Sequence, residues 1–280
     1  MVTNVSRRAQ LVSGRLGSLL ADLGDQLSFY GKSLGLTYRA AAVYWKEIVR
    51  LLAEIAMGTG ALAVVGGTVV ITAVLTLATG AEVGLQGFSV LDDIGVEALA
   101  GFASAYINTR EVAPLIAGVG LAATVGAGFT AQLGAMRVNE EIDALEVMGI
   151  PSVPYLISTR IVAGFVAIVP LYSIALVVSY ASTALVVTTV FGQAGGTYEH
   201  YFSVFLLPVD VLWSLVKVLF MATAVMLVHC YFGYRAAGGP AGVGEAVGRA
   251  TRASLVAVVL VDLLVGLVVY GSSDSLNISG

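Results

Sequence analysis

Long stretches of this sequence carry no charge, and a soluble fold has little use for so many apolar residues in succession. Ile55–Ala81 runs for 27 residues and Val112–Met136 for 25 without Asp, Glu, Lys or Arg, and no charge lies between Arg160 and Glu199. At 1.5 Å per residue, about 20 such residues cross the hydrocarbon core of a bilayer. Two more apolar runs, Val211–Tyr234 and Ala253–Tyr270, hold a single charge each, Lys217 and Asp262. The third span falls within Ile161–Tyr198, with Pro170 as a candidate kink and Gly192-Gln193-Ala194-Gly195-Gly196 as its end. With 58% hydrophobic and 11% charged residues, the chain reads as an all-α polytopic membrane protein of five transmembrane helices.

The cations orient it. Residues 7–50 hold seven of the fourteen Lys and Arg, and Arg137, Arg160, Arg235, Arg249 and Arg252 fall on the same side if the N-terminus is cytoplasmic. The acidic stretch 82–111, with Glu82, Asp92, Asp93 and Glu97, then becomes an outer loop, and the C-terminus lies outside. A net charge of −4 argues against nucleic acid as a partner.

Residues 1–50 form a cytoplasmic or interfacial region ahead of a permease-like domain over 51–280. Leu16, Leu19, Leu20, Leu23, Leu27 and Tyr30 make an apolar stripe opposite Arg15, Ser18, Asp22 and Asp25, and Tyr38, Ala41, Ala42, Trp45 and Ile48 continue the pattern. Its basic flanks and aromatic anchors suit the headgroup layer, with a soluble arm contacting a partner as the alternative. The charges that break up its apolar residues do not read as a cleavable signal peptide.

Between the second and third spans lies a short acidic segment, 137–148. Val138, Ile142, Leu145 and Met148 fall at helical spacing, Glu140, Glu141, Asp143 and Glu146 stay polar, and Gly149 and Pro151 end it. Pinned between two spans, it must lie at the water interface; spacing alone fits a docking helix and a solvated loop helix equally.

Catalytic signatures are missing. No Gly-x-x-x-x-Gly-Lys loop occurs, so ATP would have to be bound elsewhere. Gly58-Thr59-Gly60-Ala61 mimics a dinucleotide fingerprint, but no strand precedes it. Gly118, Ala122 and Gly126 read instead as a small-residue ridge for close helix approach. His200 and His229 stand without metal-ligand spacing, Cys230 is the single cysteine, and no Gly-x-Ser-x-Gly elbow occurs. Charges in or near apolar runs do stand out: Arg110, Glu111, Asp210, Lys217 and Asp262. Each would cost about 2.5–3.5 kcal/mol at the centre of a lone helix, so each should face protein or a wet cavity. Pairing among themselves and lining a ligand cavity are both open to them.

The run Thr130-Ala131-Gln132-Leu133-Gly134-Ala135-Met136-Arg137-Val138-Asn139-Glu140, followed by Glu146-Val147-Met148, resembles the signature of the MlaE/YrbE permeases, the membrane subunits of bacterial lipid-transporting ABC systems. The likeness extends over nearly everything beyond residue 45 and is greatest to the YrbE subunits of mycobacterial Mce importers. It implies that Arg137, Val138, Glu140, Glu141, Ile142, Leu145, Glu146 and Met148 form a coupling helix on a separate ATPase that binds ATP and Mg. It also implies a lipid site at the outer side of a permease dimer, near Leu85, Gln86, Gly87, Phe88, Arg110, Glu111 and Leu115, with Asp210 and Lys217 at charged family positions. MCE-domain proteins would form a conduit outside. The sequence departs from the pattern at Ala123-Thr124, in place of Gly-Arg, and at Gln132, in place of Glu. A non-identical sister permease that keeps those charges, hence a heterodimer, would account for both.

The resemblance therefore implies a non-enzymatic subunit of a plasma-membrane ABC importer for a lipid, such as a fatty acid, mycolate or sterol-like molecule. An ion-coupled secondary transporter and a membrane-embedded lipid-modifying enzyme are the competing classes. The first would use the intramembrane charges directly, and the second needs an acid/base or metal constellation that the sequence does not display.

Overall fold

The computed structural model describes residues 21, 24–57 and 63–271. Among them there is no strand, and five helices are long and apolar enough to cross a membrane. A helix over 24–35, here α1, precedes α2 (Thr37–Val43) and α3 (Trp45–Met57). The first crossing is α4 (Ala63–Asp93). The second is one helical run, Glu97–Val138, assembled from a short 3₁₀ turn, α5 (Ala100–Ile107), α6 (Ala113–Leu121) and α7 (Ala127–Val138), joined by π turns at Asn108–Val112 and Ala122–Gly126. After α8 (Glu141–Val147), a π turn at Val153–Ser158 leads into α9 (Thr159–Thr189), the third crossing. A short α10 (Gly195–Phe205) and the long α11 (Pro208–Tyr234) and α12 (Gly239–Tyr270) complete the chain.

The helices overrun the spans expected from the sequence. The stretch 82–111 is not an outer loop: α4 continues to Asp93 and the next helix starts at Glu97, because the acids of this stretch sit on exposed faces. A helix of 31 residues is about 46 Å long, more than a hydrocarbon core requires, so its polar end can stand in water. The fifth span likewise begins at Gly239 rather than Ala253, leaving only 235–238 as a loop. Gly238, at φ +91, makes the turn, and Pro240, at the start of α12, has no N–H to leave unbonded. Pro170 lies inside α9 without ending it.

Segment 137–148 is not one helix. Arg137 and Val138 close α7, the chain reverses at Asn139-Glu140, with Glu140 in the left-handed region at φ +61, and α8 begins at Glu141. Helix-end charges favour the break. Arg137 sits in the last turn of α7, and Glu141 and Asp143 in the first turn of α8.

Small residues set the packing. α4 and α9 approach so closely that a Cβ on Gly80 would lie 2.8 Å from the Ser179 carbonyl oxygen. Across this seam Thr183 Oγ1 donates to the Gly80 carbonyl at 2.7 Å and Ser182 Oγ to that of Leu77 at 2.6 Å. The expected Gly118–Ala122–Gly126 ridge faces α11 and α12: Gly118 lies against Met221 and Val258, and Gly126 under the His229 ring. His229 is fully buried, with Nδ1 2.7 Å from Thr130 Oγ1 and Nε2 3.0 Å from Ser254 Oγ.

Of the expected N-terminal stripe, Leu16, Leu19, Leu20 and Leu23 lie outside the described residues. α1 packs on the end of α11, where Phe29 and Tyr30 meet Tyr231 edge-on and Asp25 lies 3.4 Å from Arg235. Tyr38 and Trp45 stay largely exposed while Ile48 is buried.

Candidate functional site

The sequence places five ionisable residues in apolar surroundings, and the fold gathers all five at one end of the bundle. The π turn Asn108–Val112 makes this possible. Its wider i→i+5 turn lets Asn108, Thr109 and Arg110 all point inward in succession. Asn108 donates to Thr183 Oγ1 at 2.9 Å and Thr109 bonds Tyr180, so the turn is tied to α9. Arg110 then reaches α11, donating from Nη2 to Asp210 Oδ2 at 2.9 Å and from Nε to the same oxygen at 3.3 Å. Its guanidinium lies between two rings, 4.1 Å from the centroid of Tyr106 and 4.3 Å from that of Tyr270.

Lys217 is the centre of the second half. Its side chain is wholly buried on α11, and its Nζ meets the Asp262 carboxylate of α12 at 2.7 Å, that of Glu111 at 3.2 Å and the Arg110 carbonyl at 2.8 Å. The ammonium donates to the Arg110 carbonyl and the Glu111 carboxylate, its contact with Asp262 is an ion pair, and the adjacent Arg110 and Glu111 of one π turn thus enter two different ion pairs. Beside this cluster opens a recess of about 460 Å³, walled by Tyr106, Arg110, Glu111, Asp262, Tyr270 and an apolar strip of α12, Val259, Leu263, Gly266 and Leu267. Glu111 is its one well-exposed charge: the side chain is 52% exposed, against 16% for Asp262 and 7% for Arg110.

The other residues expected near a lipid do not share this recess. Leu85, Gln86, Gly87 and Phe88 lie near the end of α4. Leu85 and Gln86 are exposed, Gly87 faces Ala103, and Phe88 is buried, stacked on Phe191 at 4.2 Å. Leu115 packs against the main core.

At the opposite end, α8 is clamped to the bundle. Ile142 is fully buried and Leu145 packs on the core, so two of the four apolar residues expected on one face are used within the chain. Arg137 Nη1 lies 2.7 Å from Asp143 Oδ1, while Glu146 accepts from Ser152 Oγ at 2.6 Å. Glu140, Glu141 and Met148 remain outward, joined by Val147, which is 89% exposed.

Sequence reasoning missed one buried cation. Arg160, expected in a cytoplasmic segment, is 5% exposed within the third crossing, because helix already starts at Val153. Among the described residues no carboxylate lies within ion-pair distance of it. Its Nη1 donates to the Leu156 carbonyl at 2.8 Å and its Nη2 to Gln132 Oε1 at 3.3 Å. Gln132 in turn donates from Nε2 to Glu54 Oε1 at 2.7 Å, so the charge of α3 reaches Arg160 through an amide. The departure at Gln132 was the signal that could have found it. The short α10 was missed as well; Tyr198, on its inner face, donates to Ser104 Oγ at 2.8 Å.

Comparison with known proteins bears on the whole arrangement. The family model described as Permease MlaE matches residues 57–268. The chain is 30% identical over 185 residues to the chloroplastic protein TRIGALACTOSYLDIACYLGLYCEROL 1 of Arabidopsis thaliana, covering 66% of this chain and 53% of that protein. A probable ABC transporter permease protein of Rickettsia bellii is 29% identical, over 70% of this chain and 75% of its own. The intermembrane phospholipid transport system permease protein MlaE of Haemophilus influenzae is 26% identical, over 69% and 74%. The chain thus spans about half the length of the first relative and about three quarters of the other two. With a family match running from the end of α3 almost to the end of α12, and five membrane-spanning helices beneath it, the chain belongs to the MlaE permease family.

Proposed function

We propose that this protein is the permease subunit of an ABC-type lipid importer of the Mce/Mla class in the bacterial inner membrane. It binds lipid in the recess beside Arg110, Glu111 and Lys217 and couples to a separate ATPase through α8. The observation that supports the reading is the two-ended arrangement: a charged recess with an apolar wall at one end, and a clamped, acidic helix with exposed Val147 and Met148 at the other. The names of the Rickettsia and Haemophilus relatives, an ABC transporter permease and a phospholipid transport permease, point the same way. The chain does no covalent chemistry in this scheme. ATP-linked closure of the ATPase drives the permease between a state that holds the lipid and one that releases it, and the lipid's different affinity for the two states decides where it is bound and where it is released.

The finer assignments belong to the same proposal. The N-terminus is cytoplasmic and the C-terminus outside, a sister permease completes the pair as a heterodimer, and MCE-domain proteins receive or deliver the lipid on the outer side. The test is charge reversal on α8. Glu140→Lys with Glu141→Lys, which leaves Ile142 and the Arg137–Asp143 pair in place, should strip the ATPase from the purified complex or abolish lipid-stimulated ATP hydrolysis. A complex that assembles and turns over normally would remove α8 from the coupling role.

A further inference from the structure

At the α8 end of the bundle the chain bends at Tyr44, which leaves helical conformation between α2 and α3. A second recess, of about 530 Å³, opens at this bend. Val43, Tyr44, Trp45, Lys46 and Glu47 line it, together with Tyr155 from the π turn that follows α8. The Tyr44 and Tyr155 rings meet edge-on at 5.2 Å, and among the described residues neither hydroxyl has a hydrogen-bond partner. Glu47, the acid on this wall, lies 3.4 Å from Arg50, and among the described residues no carboxylate lies within ion-pair distance of Lys46. The recess thus offers an ammonium and two phenolic donors that the chain does not use itself. The surroundings decide what kind of anion fits. α3 buries Ile48 and Leu51, and its exposed surface divides into an apolar strip, Trp45 with Val49, and a cationic strip, Lys46 with Arg50, each spaced four residues apart. Before the bend, Tyr38 and Val43 add to the exposed apolar surface, and Lys32 and Arg39 are exposed cations outside any ion pair among the described residues. A soluble anion would account for the cations but not for bare Trp, Tyr and Val beside them. A bilayer surface answers both, with phosphates for the cations and interfacial carbon for the aromatic and aliphatic side chains.

From this geometry we infer that the bend between α2 and α3 binds the headgroup of an anionic phospholipid in the leaflet at the α8 end. The lipid phosphate pairs with Lys46 and accepts from the Tyr44 and Tyr155 hydroxyls, while Trp45 and Val49 lie along the start of the acyl chains. The unpaired cations Lys32 and Arg39 favour a headgroup of net negative charge over a zwitterion. This is a resident lipid, at the other end of the bundle from the Arg110–Lys217 cluster, and its site is independent of which lipid is transported. It also touches the coupling end of the chain. Tyr155 belongs to the segment whose Ser152 donates to Glu146 of α8 at 2.6 Å, so the headgroup would steady the turn that anchors α8.

The test uses the full chain with Trp213→Phe, which leaves Trp45 as the single tryptophan, reconstituted in phosphatidylcholine vesicles. The vesicles are doped with phosphatidylglycerol or phosphatidylcholine carrying the same spin label near the headgroup, and quenching of Trp45 is followed. Labelled phosphatidylglycerol should reach half-quenching at about one fifth of the mole fraction that labelled phosphatidylcholine needs, the value of one cation at an anionic surface. Lys46 is exposed, so its variants leave the packing intact: Lys46→Gln should remove the preference and Lys46→Arg should keep it. Tyr155→Phe should weaken it. Equal quenching by the two lipids in the otherwise unaltered chain overturns the inference. A preference that survives Lys46→Gln overturns it too, since the attraction would then belong to the basic arm at large. Inorganic phosphate that abolishes the preference at constant ionic strength would make the recess a site for free anions and not for a headgroup. No quenching by either lipid would put the bend against a soluble partner and away from the bilayer, which equally overturns it.

Discussion

Lys217 on α11 holds the Asp262 carboxylate of α12 at 2.7 Å, and it does so with a side chain that is completely buried. With the His229–Ser254 contact, this pair is one of two polar links among the described residues between the last two crossings, along a seam that also holds Met221 and Val258. α12 needs it, since only a small part of that helix is buried: Ala246, Ala250, Ser254 and Val258 face inward while Val256, Val259, Leu260, Leu263 and Leu264 face out.

Lys217→Met should therefore cost about 3–5 kcal/mol, because the largely buried Asp262 carboxylate loses its counter-charge. Lys217→Met with Asp262→Leu should recover much of that loss, since replacing both partners by apolar groups removes the uncompensated charge. Thermal unfolding in detergent, followed by intrinsic fluorescence, measures both. A double variant no more stable than the single one would mean that the pair contributes through shape rather than charge.

The relay from Glu54 through Gln132 to Arg160 predicts a second cycle. Gln132→Leu strands a buried guanidinium and should destabilise the chain by about 1–3 kcal/mol. Adding Arg160→Met should return most of it. Equal loss in the single and double variants would show that Gln132 acts only by packing.

Orientation can be checked with cysteines on described, exposed positions in a Cys230→Ala background; Cys230 itself is buried. A cysteine at Asp93 should react with a membrane-impermeant reagent in intact cells, and one at Glu141 only after permeabilisation. The reverse pattern would invert the protein and with it the proposed sides of the recess and of α8.

Much of this was legible in the chain because charge in an apolar run is a strong signal. The spans, the small-residue ridge and all five charges of the cluster could be named from the sequence. Helix ends could not. Acidic residues on one face of a helix that outlasts the membrane look the same as a loop, which is how 82–111 was misread. Pairing was also hidden, because Arg110 and Glu111 are neighbours in sequence yet bind different partners only through the π turn at 108–112. The relay at Arg160 depends on a contact between α3, α7 and α9 that no local pattern encodes.

The order of these charges along the chain also gives the cluster a chronology during synthesis. Arg110 and Glu111 enter the membrane first, each with an opposite charge beside it in sequence, before either long-range partner exists. Lys217 follows on α11, seven residues behind Asp210, and finds Glu111 already in place. Asp262 arrives last, on the helix that packs least, and meets an ammonium waiting for it. No member of the cluster need cross into lipid alone, provided that each crossing stays close to those before it. A chain truncated after α11 would hold Lys217 with Glu111 but without Asp262. Biogenesis of this permease is therefore most exposed to failure in the interval between the insertion of α11 and that of α12.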